Sequence, residues 1–571
     1  MRLKRKITGN MVQMPCEDFE KKVLDICKRI AGVREIVAAC FYGSRVYGCA
    51  NYKSGVNVLL VLEGFGLRLK SYQKPLNETN VFILAVDKGV FESDVEQGWL
   101  GEFVADKITF PYQPFVNSEY LWQKEVQMKK RIIQELLENM VLEFPELSHE
   151  FLIRAEYFMY KAMKQRAQLF PPTTYSYLNM LSDDVKTKNT ESIMKGYLQA
   201  LEELAGEDKI AFSNEHVKIN PTFIKIIKKR KLRIPPFLKS IQKAALTHLV
   251  SFFPRMTVPL TGEEEIFMKT HGEVEIEELS SQLEEPERYV SMPTPFGLVT
   301  LSDETTIEDF VRKTLPGGEI LDMETEKIGG VLNDVYQLRL RRDKEEQRIV
   351  VKKFRDWHGF KWFPLALWAV GTKAFAVLGR SRLEREYAIN QFLGKEGFPV
   401  PRVLYVSPQE GLIFKEFIEG ENLVHVIKRI ISSKSEHLTA DIALVKEAGR
   451  KIAEAHKLGV AFGDCKPENI LVTKEGTLYF VDLEQATRGG NQVWDVAEFL
   501  YYSGHYVFPL SSTDVAELIA RKFIEGYLEG GGKKETVRGV WSPRYSKVFS
   551  VFTPPHVILA VSNLCRKVND I

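Results

Sequence analysis

Two acidic residues and an asparagine near the C-terminal end of the chain have the types and spacing that phosphate chemistry needs. The run GDCKPEN, residues 463–469, is followed by apolar Ile-Leu-Val, and Asp482 comes thirteen residues after Asn469 at the end of the apolar stretch LYFV. Transfer of a phosphoryl group from ATP is mainly a matter of positioning and charge neutralisation. The pattern therefore indicates an ATP-dependent phosphotransfer site.

Each of these residues has a role that such a reaction requires. We expect Asp464 to lie beside the acceptor hydroxyl as the catalytic carboxylate, and Lys466 to screen the negative charge of the γ-phosphate. Asn469 and Asp482 offer the hard oxygen ligands that Mg²⁺ prefers. The alternative is a surface loop with a chance D-x-x-x-x-N pattern, which the flanking apolar strands and the position of Asp482 argue against.

A lysine on an upstream strand would complete the phosphate site. Ile349-Val350-Val351 reads as an apolar strand that ends at Lys352, with Lys353 next to it. Because a strand alternates its faces, only one of the two lysines can point into a cleft, and we expect it to be Lys352. A buried lysine needs a carboxylate partner. Glu386 on the following helix fits best, and Glu384 is the second choice.

The remaining ATP contacts are expected from a glycine loop and from a hinge. GGVLNDVY, residues 329–336, precedes the lysine strand but lacks a full G-x-G-x-x-G, so its position is the stronger argument. IFKEFIEG, residues 413–420, fits a hinge whose backbone would bind adenine. The residues that we expect to bind ATP are Gly329, Gly330, Asn333, Val335, Lys352, Glu386, Glu416 and Ile418.

The C-terminal residues resemble the RIO family of atypical kinases and its relatives, including the kinase of the KEOPS complex. The glycine loop ends in Asp-Val-Tyr, EREYAINQFLGKEGFPVPRVL is similar to that group's E-(F/Y)…G-x-P-V-P segment, and no A-P-E motif follows Asp482. The resemblance implies a bilobal kinase fold without a peptide-docking lobe, and either serine/threonine phosphorylation or a slow ATPase switch. In some relatives the residue that matches Asp482 is itself transiently phosphorylated.

The sequence departs from the RIO pattern in four places. Phe462 stands where a histidine usually precedes Gly-Asp, and Lys466 stands where a serine is usual. The metal loop, Asp482-Leu483-Glu484, replaces the common D-F-G, and the glycine loop is degenerate. None of these changes removes a phosphate-transfer residue, so we expect an active site.

Length and pattern divide the 571 residues into several domains. We predict a multidomain α+β protein with a nucleotidyltransferase-like domain (1–118), a helical and winged-helix domain (119–235), a connecting helix with an acidic linker (236–305) and a RIO-like kinase domain (306–571). The winged-helix prediction depends on two helical patterns followed by a hairpin around Ser-Asn, an order that other helical domains share.

The N-terminal region resembles the polymerase-β-like nucleotidyltransferases, through FYGSRVYG followed by SGVNVLLVL. That family holds two metal ions with three carboxylates. The two positions that match its D-x-D pair are Gly55 and Asn57, and only Asp87 matches the third acid. One carboxylate cannot hold two Mg²⁺ ions, so we predict a scaffold without nucleotidyl transfer. Gly43 and Ser44 could still bind a phosphate.

Two other segments suggest partners. KIIKKRKLR, residues 225–233, holds six basic residues, which fit either RNA contact beside a winged helix or a solvated helix end. The aromatic-rich segment 360–379 is too short to span a bilayer, and we expect it to pack on the small lobe rather than to contact a membrane.

Composition places the protein among ordinary soluble ones. Apolar residues make up 44% and charged residues 27%, and a net charge of +2 argues against a general nucleic-acid coat. Six cysteines without a C-x-x-C pair exclude a zinc ribbon and suit a reducing compartment. The basic N-terminus lacks the apolar run of a secretory signal, so we expect a cytoplasmic protein.

Three functions are compatible with these observations. The first is a RIO-like serine/threonine kinase or ATPase that acts on a protein or on itself. The second is a small-molecule phosphotransferase of the aminoglycoside or choline kinase type, which shares the Asp/Asn/Asp arrangement. The third is a non-catalytic assembly protein that binds nucleotides or RNA. The ordered set from Lys352 to Asp482 favours the first.

Overall fold

A computed structural model describes most of the chain, in two compact units. The first unit comprises Met1–Pro145 with Phe151–Val290, and the second comprises Glu146–Glu150 with Ser291–Ile571. The described residues are 17–50, 55–76, 79–169, 173–230, 282–314, 322–329, 333–342, 345–355, 378–432, 438–507, 512–550 and 553–570.

The first unit begins with a mixed five-stranded sheet. Its strand order is β3-β4-β2-β1-β5, in which β2 and β4 are parallel and the other neighbours are antiparallel. The side chains of β2 are almost all buried, as its continuous apolar sequence predicts. The elements are α1 (Glu17–Ala31), β1 (Ile36–Tyr42), α2 (Ser44–Tyr47), β2 (Val56–Leu62), β3 (Leu69–Leu76), β4 (Thr79–Asp87), α3 (Lys88–Gln97) and β5 (Tyr112–Val116).

The glycine turn of the predicted nucleotidyltransferase motif lies between β1 and α2. Gly43 has a φ of 91°, and a β-carbon there would come within 2.7 Å of the Asn57 amide nitrogen. A β-carbon at Gly55 would come within 2.5 Å of the Phe82 ring. The packing therefore leaves no room for an acidic side chain at Gly55. The nucleotidyltransferase assignment and its loss of activity stay predictions.

The rest of the first unit is mainly helical. A hairpin joins β7 to β8, with Ser213 paired to His216 and Asn214 at a φ of 54°, and β8 also pairs with β6. The hairpin agrees with the pattern around Ser-Asn, and the winged-helix fold stays a prediction. The elements are α4 (Ser118–Glu143), β6 (Leu152–Arg154), α5 (Glu156–Leu169), α6 (Thr173–Met180), α7 (Lys186–Gly206), β7 (Ile210–Ser213), β8 (His216–Ile219) and α8 (Pro221–Lys229).

The second unit opens with a hairpin, a helix and an antiparallel five-stranded sheet. The sheet order is β11-β12-β13-β15-β14. Phe310 of the helix stacks on Phe414 of the sheet at 4.1 Å between ring centroids. The elements are β9 (Val290–Thr294), β10 (Gly297–Thr300), α9 (Ile307–Thr314), β11 (Asp322–Gly329), β12 (Asp334–Arg342), β13 (Glu345–Lys353), α10 (Gly379–Lys395), β14 (Val403–Ser407) and β15 (Leu412–Glu416).

A larger helical part follows the sheet and carries two small β-pairings. Strands β16, β18 and β19 form one sheet, and β17 pairs with β20. The elements are β16 (Glu421–Asn422), α11 (Leu423–Ser432), α12 (Leu438–Lys457), β17 (Val460–Ala461), β18 (Ile470–Val472), β19 (Leu478–Phe480), β20 (Thr487–Arg488), α13 (Gln492–His505), α14 (Asp514–Glu529), α15 (Lys534–Gly539), α16 (Pro543–Phe549) and α17 (Pro555–Arg566).

Two glycines allow α12 and α14 to pack closely. A β-carbon at Gly526 would come within 1.8 Å of the Lys446 carbonyl oxygen, and one at Gly449 within 2.1 Å of the Phe523 carbonyl oxygen. The helices therefore touch through their backbones, and the apolar core of this part forms around them. This rigid base supports the loops that carry the predicted site.

Several predictions fall on residues outside the described ranges. They are Gly330 of the glycine loop, residues 231–233 of the basic run, residues 360–377 of the aromatic segment and residues 236–281 of the predicted connector. The bounds of the four predicted domains, the cytoplasmic location and the RNA contact stay predictions as well. Among the described residues, no helix combines the length and apolar character that a membrane span requires.

Candidate active site

A buried carboxylate holds the start of the catalytic loop, Gly463–Asn469. Asp495 of α13 accepts the backbone N–H of Phe462 at 2.6 Å and that of Gly463 at 2.7 Å. His456 lies 3.0 Å from the same carboxylate and 2.7 Å from the Tyr527 hydroxyl. Hydrogen bonds that backbone N–H groups donate to charged acceptors are among the stronger ones in proteins. The loop is thus tied to three helices before it reaches Asp464.

A second acid on α13 holds the middle of the loop. Glu498 accepts the backbone N–H of Cys465 at 2.7 Å and the indole N–H of Trp494 at 3.0 Å. Phe462, in the place of the usual histidine, stacks on Phe480 at 4.7 Å and is buried. The substitution therefore fills the core under the loop, and Asp464 keeps its position through the backbone.

The three catalytic-loop residues predicted from the sequence lie together. Lys466 Nζ is 3.0 Å from Asp464 Oδ1. The Asn469 side-chain amide donates to the Asp464 backbone carbonyl at 2.8 Å and to Asp464 Oδ2 at 3.1 Å. Because the NH₂ group of Asn469 faces Asp464, its amide oxygen is the atom that could bind a metal ion.

The environment of Lys466 keeps it charged. Burial lowers the pKa of this ammonium, but the charges of Asp464 and Glu498 and the hydrogen bond to Asp464 outweigh that effect and raise it. Lys466 is therefore a fixed positive charge beside the catalytic carboxylate, as charge screening on a phosphate would require.

Lys352 lies at the centre of an ionic cluster. Its Nζ is 3.2 Å from Glu386 Oε2, 2.8 Å from Asp482 Oδ1 and 2.8 Å from Glu484 Oε2. Lys352 is 4% exposed, whereas the side chain of Lys353 is 42% exposed and 3.9 Å from Glu410. The structure thus directs Lys352 inward and pairs it with Glu386, as strand alternation predicted.

Two further cations balance the three carboxylates of this cluster. Lys415 on β15 contacts Glu386 Oε1 at 2.5 Å and the Val481 carbonyl at 2.8 Å. Arg382 on α10 contacts Glu484 at 3.3 Å and is completely buried. Buried charges are stable only when they are paired and hydrogen-bonded. Three positive and three negative side chains therefore form a neutral group.

The two acids of the metal loop differ in their electrostatics. Burial alone would raise the pKa of Asp482, but the charge and hydrogen bond of Lys352 hold it below its usual range. Burial dominates at Glu484 and raises its pKa in spite of Lys352. Asp482 is thus the ionised acid that a cation would meet, and Glu484 is the more readily protonated neighbour.

The donor set fits a hard divalent cation. Oxygen atoms of Glu386, Asp482 and Glu484 lie within 4.8 Å of one another. The backbone N–H of Val481 donates to the carbonyl of Asn469 at 3.1 Å, so the loops that carry Asn469 and Asp482 are held in register. Carboxylate and amide oxygens are the ligands that Mg²⁺ takes in proteins, and Asn469 and Asp482 would hold the ion.

The glycine loop is placed beside Lys352 through β12. Val335 pairs with both Gly329 and Lys352 in the sheet. The side chain of Asn333 points inward, where it donates to Glu484 Oε2 at 2.5 Å and accepts from Arg382 at 2.7 Å. Its described contacts therefore anchor the end of the loop to the metal loop. The phosphate-covering turn expected from the sequence stays a prediction, because residues 330–332 lie outside the described ranges.

The predicted hinge follows β15. Glu416 ends the strand, and its backbone N–H already donates to the Arg402 carbonyl at 2.9 Å. Ile418 lies in the irregular segment after it. Because the N–H of Glu416 is engaged, Ile418 is the better placed of the two to offer a backbone N–H to adenine.

Sequence reasoning missed five charged residues of this site. A buried acid inside an apolar helix, such as Asp495 or Glu498 in QVWDVAEFLYY, is a signal that could have found two of them. Glu484 was noted only as a departure from D-F-G. Lys415 and Arg382 gave no local signal, because their partners lie 29 and 102 residues away in the chain.

The outer side of α10 carries another buried acid, Glu384, which is 1% exposed. Its carboxylate accepts the backbone N–H groups of Glu146 at 2.7 Å and Leu147 at 3.0 Å. Burial is the main influence and raises its pKa to about 7, against the two N–H bonds that lower it. Glu384 is therefore not the partner of Lys352 and has a separate environment.

This environment predicts a pH dependence of stability that the Glu384→Gln variant should remove. Between pH 4.5 and 7 the unfolded chain loses the Glu384 proton while the folded chain keeps it, so stability falls as pH rises through this window and is flat above it. At about 1.4 kcal/mol per pKa unit, the wild type should lose about 3 kcal/mol relative to the variant.

The measurement is the free energy of unfolding of both proteins at pH 5 and pH 7.5. Glu146 and Arg385 face Glu384, and Arg488 pairs with Glu146, so these groups are left unchanged in both proteins. A wild-type-minus-variant difference that does not change with pH would contradict the assignment.

Residues 339–520 match the family model described as the lipopolysaccharide kinase (Kdo/WaaP) family. The matched stretch contains Lys352, Glu386, the catalytic loop and Asp482 in that order. The family model thus covers the residues of the ionic cluster and the loops around it, which amounts to about a third of the chain.

Curated proteins of the Bud32 type are also similar to part of this chain. The KEOPS complex subunit Bud32 of Pyrococcus abyssi is 30% identical over 105 residues, which are 18% of this chain and 44% of that protein. A probable serine/threonine-protein kinase BUD32 homolog of Archaeoglobus fulgidus is 29% identical over 157 residues, 27% of this chain and 70% of that protein. The EKC/KEOPS complex subunit bud32 of Dictyostelium discoideum is 32% identical over 109 residues, 19% of this chain and 42% of that protein.

The chain thus spans less than half the length of the first of these relatives. The predicted resemblance of the C-terminal part of the chain to atypical kinases of the RIO and Bud32 type is confirmed by these similarities. The residues that the family model matches lie within the second unit.

Proposed function

We propose that the protein is an ATP- and Mg²⁺-dependent atypical kinase that transfers the γ-phosphate to a serine or threonine hydroxyl, on a protein substrate or on itself. The observation that carries the proposal is the convergence of Lys352, Glu386 and Asp482 within one buried ionic cluster. In the chain, Glu386 is 34 residues from Lys352 and Asp482 is 130 residues from it. They lie on β13, on α10 and on the loop after β19, so the fold of the second unit brings them together.

The residues support a division of labour. Lys352, held by Glu386, would bind the ATP phosphates, and Ile418 with Val335 would border the adenine. A Mg²⁺ ion bound by Asn469 and Asp482 would neutralise charge on the phosphate oxygens. Asp464 would orient the acceptor hydroxyl and take its proton, and Lys466 beside it would stabilise the charge that develops on the transferred group.

Lys352 must change partners for this to happen. In the present structure it lies 2.8 Å from Asp482 and from Glu484. ATP phosphates would compete for the ammonium and free Asp482 for the metal ion. Glu386 keeps Lys352 in place meanwhile, and Lys415 compensates the second oxygen of Glu386.

A small-molecule phosphotransferase is the second candidate. The matching family model is named for kinases of lipopolysaccharide. That name indicates a carbohydrate acceptor for a related domain. The relatives named as serine/threonine kinases favour a protein acceptor instead. Three relatives are named as KEOPS complex subunits, so a partner protein belongs among the acceptors that are tested.

An acceptor screen with the full chain would separate these candidates. The protein is incubated with Mg²⁺ and γ-labelled ATP, alone, with a mixture of protein acceptors, or with a panel of sugars, aminoglycosides and choline. We expect label on serine or threonine of a protein or of the chain itself. Label on a small molecule only would overturn the protein-kinase proposal. A hydroxylamine-labile label on the chain would instead indicate a phosphorylated aspartate and an ATPase cycle.

A further inference from the structure

The segment Glu146–Glu150 belongs to the unit that carries the kinase site, although the rest of that unit starts at Ser291. Leu147–His149 form a short 3₁₀ turn. The chain therefore places five residues against the kinase fold and then leaves it for more than a hundred residues. Glu146, Leu147 and Glu150 have hydrogen bonds or ion pairs to two elements, α10 and β20.

On α10 the segment contacts both ends of the helix. Glu384 accepts the N–H groups of Glu146 and Leu147, and Lys395 Nζ lies 2.7 Å from Glu150 Oε2. Glu386 follows Glu384 by two residues, which turns it about 200° around the helix axis. The segment thus holds one side of α10, while Lys352 and Lys415 hold Glu386 on the other side.

On β20 the segment contacts the chain that leaves the metal loop. Arg488 donates to the side chain of Glu146 at 3.1 Å, to its carbonyl at 3.3 Å and to Glu150 at 3.4 Å. The guanidinium also lies 4.7 Å from the Phe392 ring of α10. Arg488 is six residues after Asp482. One arginine therefore joins the segment, the helix of Glu386 and the chain of Asp482.

The strand that pairs with β20, β17, leads into the catalytic loop. Val460 pairs with Arg488 and Ala461 with Thr487, and the N–H of Gly489 donates to the Gly459 carbonyl at 2.7 Å. Residues 460–461 lead directly to Gly463. A displacement of β20 would therefore move the approach to Asp464 as well as the exit from Asp482.

We infer that Glu146–Glu150 is a positioning segment of the kinase site, which fixes α10 and β20 so that Glu386 meets Lys352 and Asp482 faces the metal-binding position. The segment is held by Arg488, Glu384 and Lys395. The catalytic part of this inference rests on the proposed function.

A simple covering role would require different contacts. Covering an apolar helix face calls for apolar side chains, yet the contacts to Glu384, Lys395 and Arg488 are ionic or involve backbone N–H groups. A buried carboxylate such as Glu384 lowers stability unless its hydrogen bonds are made. An apolar residue at that position would be buried at a smaller cost in free energy. The polar contacts specify one position of the segment, which is what a positioning element needs.

Arg488→Ala in the full chain tests the inference. At saturating Mg²⁺-ATP we expect kcat to fall at least about tenfold while the KM for ATP stays within about threefold, because the adenine contacts lie on other elements. Arg488→Lys should recover part of kcat, since it restores the charge. Lys395→Ala, on an exposed side chain, should lower kcat about threefold. Arg450→Ala, which breaks only ion pairs within α12, is the matched control.

Hydrogen exchange provides a readout that does not depend on turnover. Arg488→Ala should speed exchange in 379–395 and in 481–489, and Arg450→Ala should not. Faster exchange with unchanged kcat would reduce the segment to a structural role and overturn the inference, as would unchanged exchange. A wild type without turnover would overturn the proposed function, and the positioning of Glu386 would then be decided by exchange alone.

Discussion

Replacing Asp464 by asparagine is expected to lower kcat by about 10²–10⁴-fold, the usual contribution of a positioned proton acceptor. Asparagine keeps the size of the side chain and an oxygen that can accept the amide of Asn469, which now lies 3.1 Å from Asp464 Oδ2. The variant loses only the charge and the basic oxygen. The catalytic loop should stay in place, because Asp495 and Glu498 hold its backbone.

The measurement is single-turnover transfer of the γ-phosphate, together with the Kd of Mg²⁺-ATP. Because Asp464 faces the acceptor and not the nucleotide in this account, the Kd should stay within about threefold of the wild type. Glu475→Gln, on the exposed turn between β18 and β19, is the control and should leave both quantities unchanged. An Asp464→Asn variant with wild-type turnover would remove Asp464 from the mechanism.

Replacing Glu386 by alanine should cost about 3–5 kcal/mol of unfolding free energy, the range for breaking a buried ion pair from one side. The carboxylate accepts from Lys352 at 3.2 Å, from Lys415 at 2.5 Å and from the Leu483 backbone N–H at 3.1 Å. Among the described residues, its loss would leave the buried Lys415 without a carboxylate partner, and it would leave the cluster with a net positive charge. Turnover should fall with it, because Lys352 loses the group that keeps it in the cleft.

Denaturant unfolding of the full chain measures this loss of unfolding free energy. The value is taken from the unfolding transition whose midpoint the substitution shifts. Lys415→Met in the Glu386→Ala background should restore part of the stability, because it removes the excess positive charge, whereas Lys352 keeps Asp482 and Glu484. Glu410→Ala is the matched control: its partner Lys353 is exposed and 3.9 Å away, so the change should stay within about 0.5 kcal/mol. Equal effects at Glu386 and Glu410 would contradict the buried cluster.

The sequence predicted those parts of the site that depend on local pattern. Strand alternation selected Lys352 over Lys353, and the apolar runs around the catalytic loop placed Asp464, Asn469 and Asp482 at strand ends. In each case the signal lies within about ten residues of the side chain that it concerns. The mixed α and β architecture followed from the same patterns.

The parts that the sequence left open are set by distant contacts. Asn333 was expected over the phosphates, but Glu484 and Arg382 draw it inward from 151 and 49 residues away. Glu384 and Glu386 differ by two positions on one helix, and only the neighbours decide that one faces Lys352 and the other faces residues 146 and 147. No local pattern predicts that the five-residue segment Glu146–Glu150 packs on the second unit, the rest of which starts at Ser291.

The first unit shows the same limit. The packing at Gly55 leaves no room for a larger side chain, and Asp87 accepts backbone N–H groups of Phe65 and Gly89. The bond from Gly89 caps α3, so Asp87 has a structural use in the described residues. The nucleotidyltransferase assignment and the predicted loss of activity stay predictions.

The most direct test of the central claim is the rate at which the γ-phosphate leaves ATP, whatever its acceptor, in the wild-type full chain and in Asp482→Asn. The account predicts Mg²⁺-dependent turnover in the wild type, abolished by chelation, and a loss of at least about a hundredfold in the variant. Equal rates in the two proteins, or no turnover in the wild type with Mg²⁺ and every acceptor class present, would contradict it.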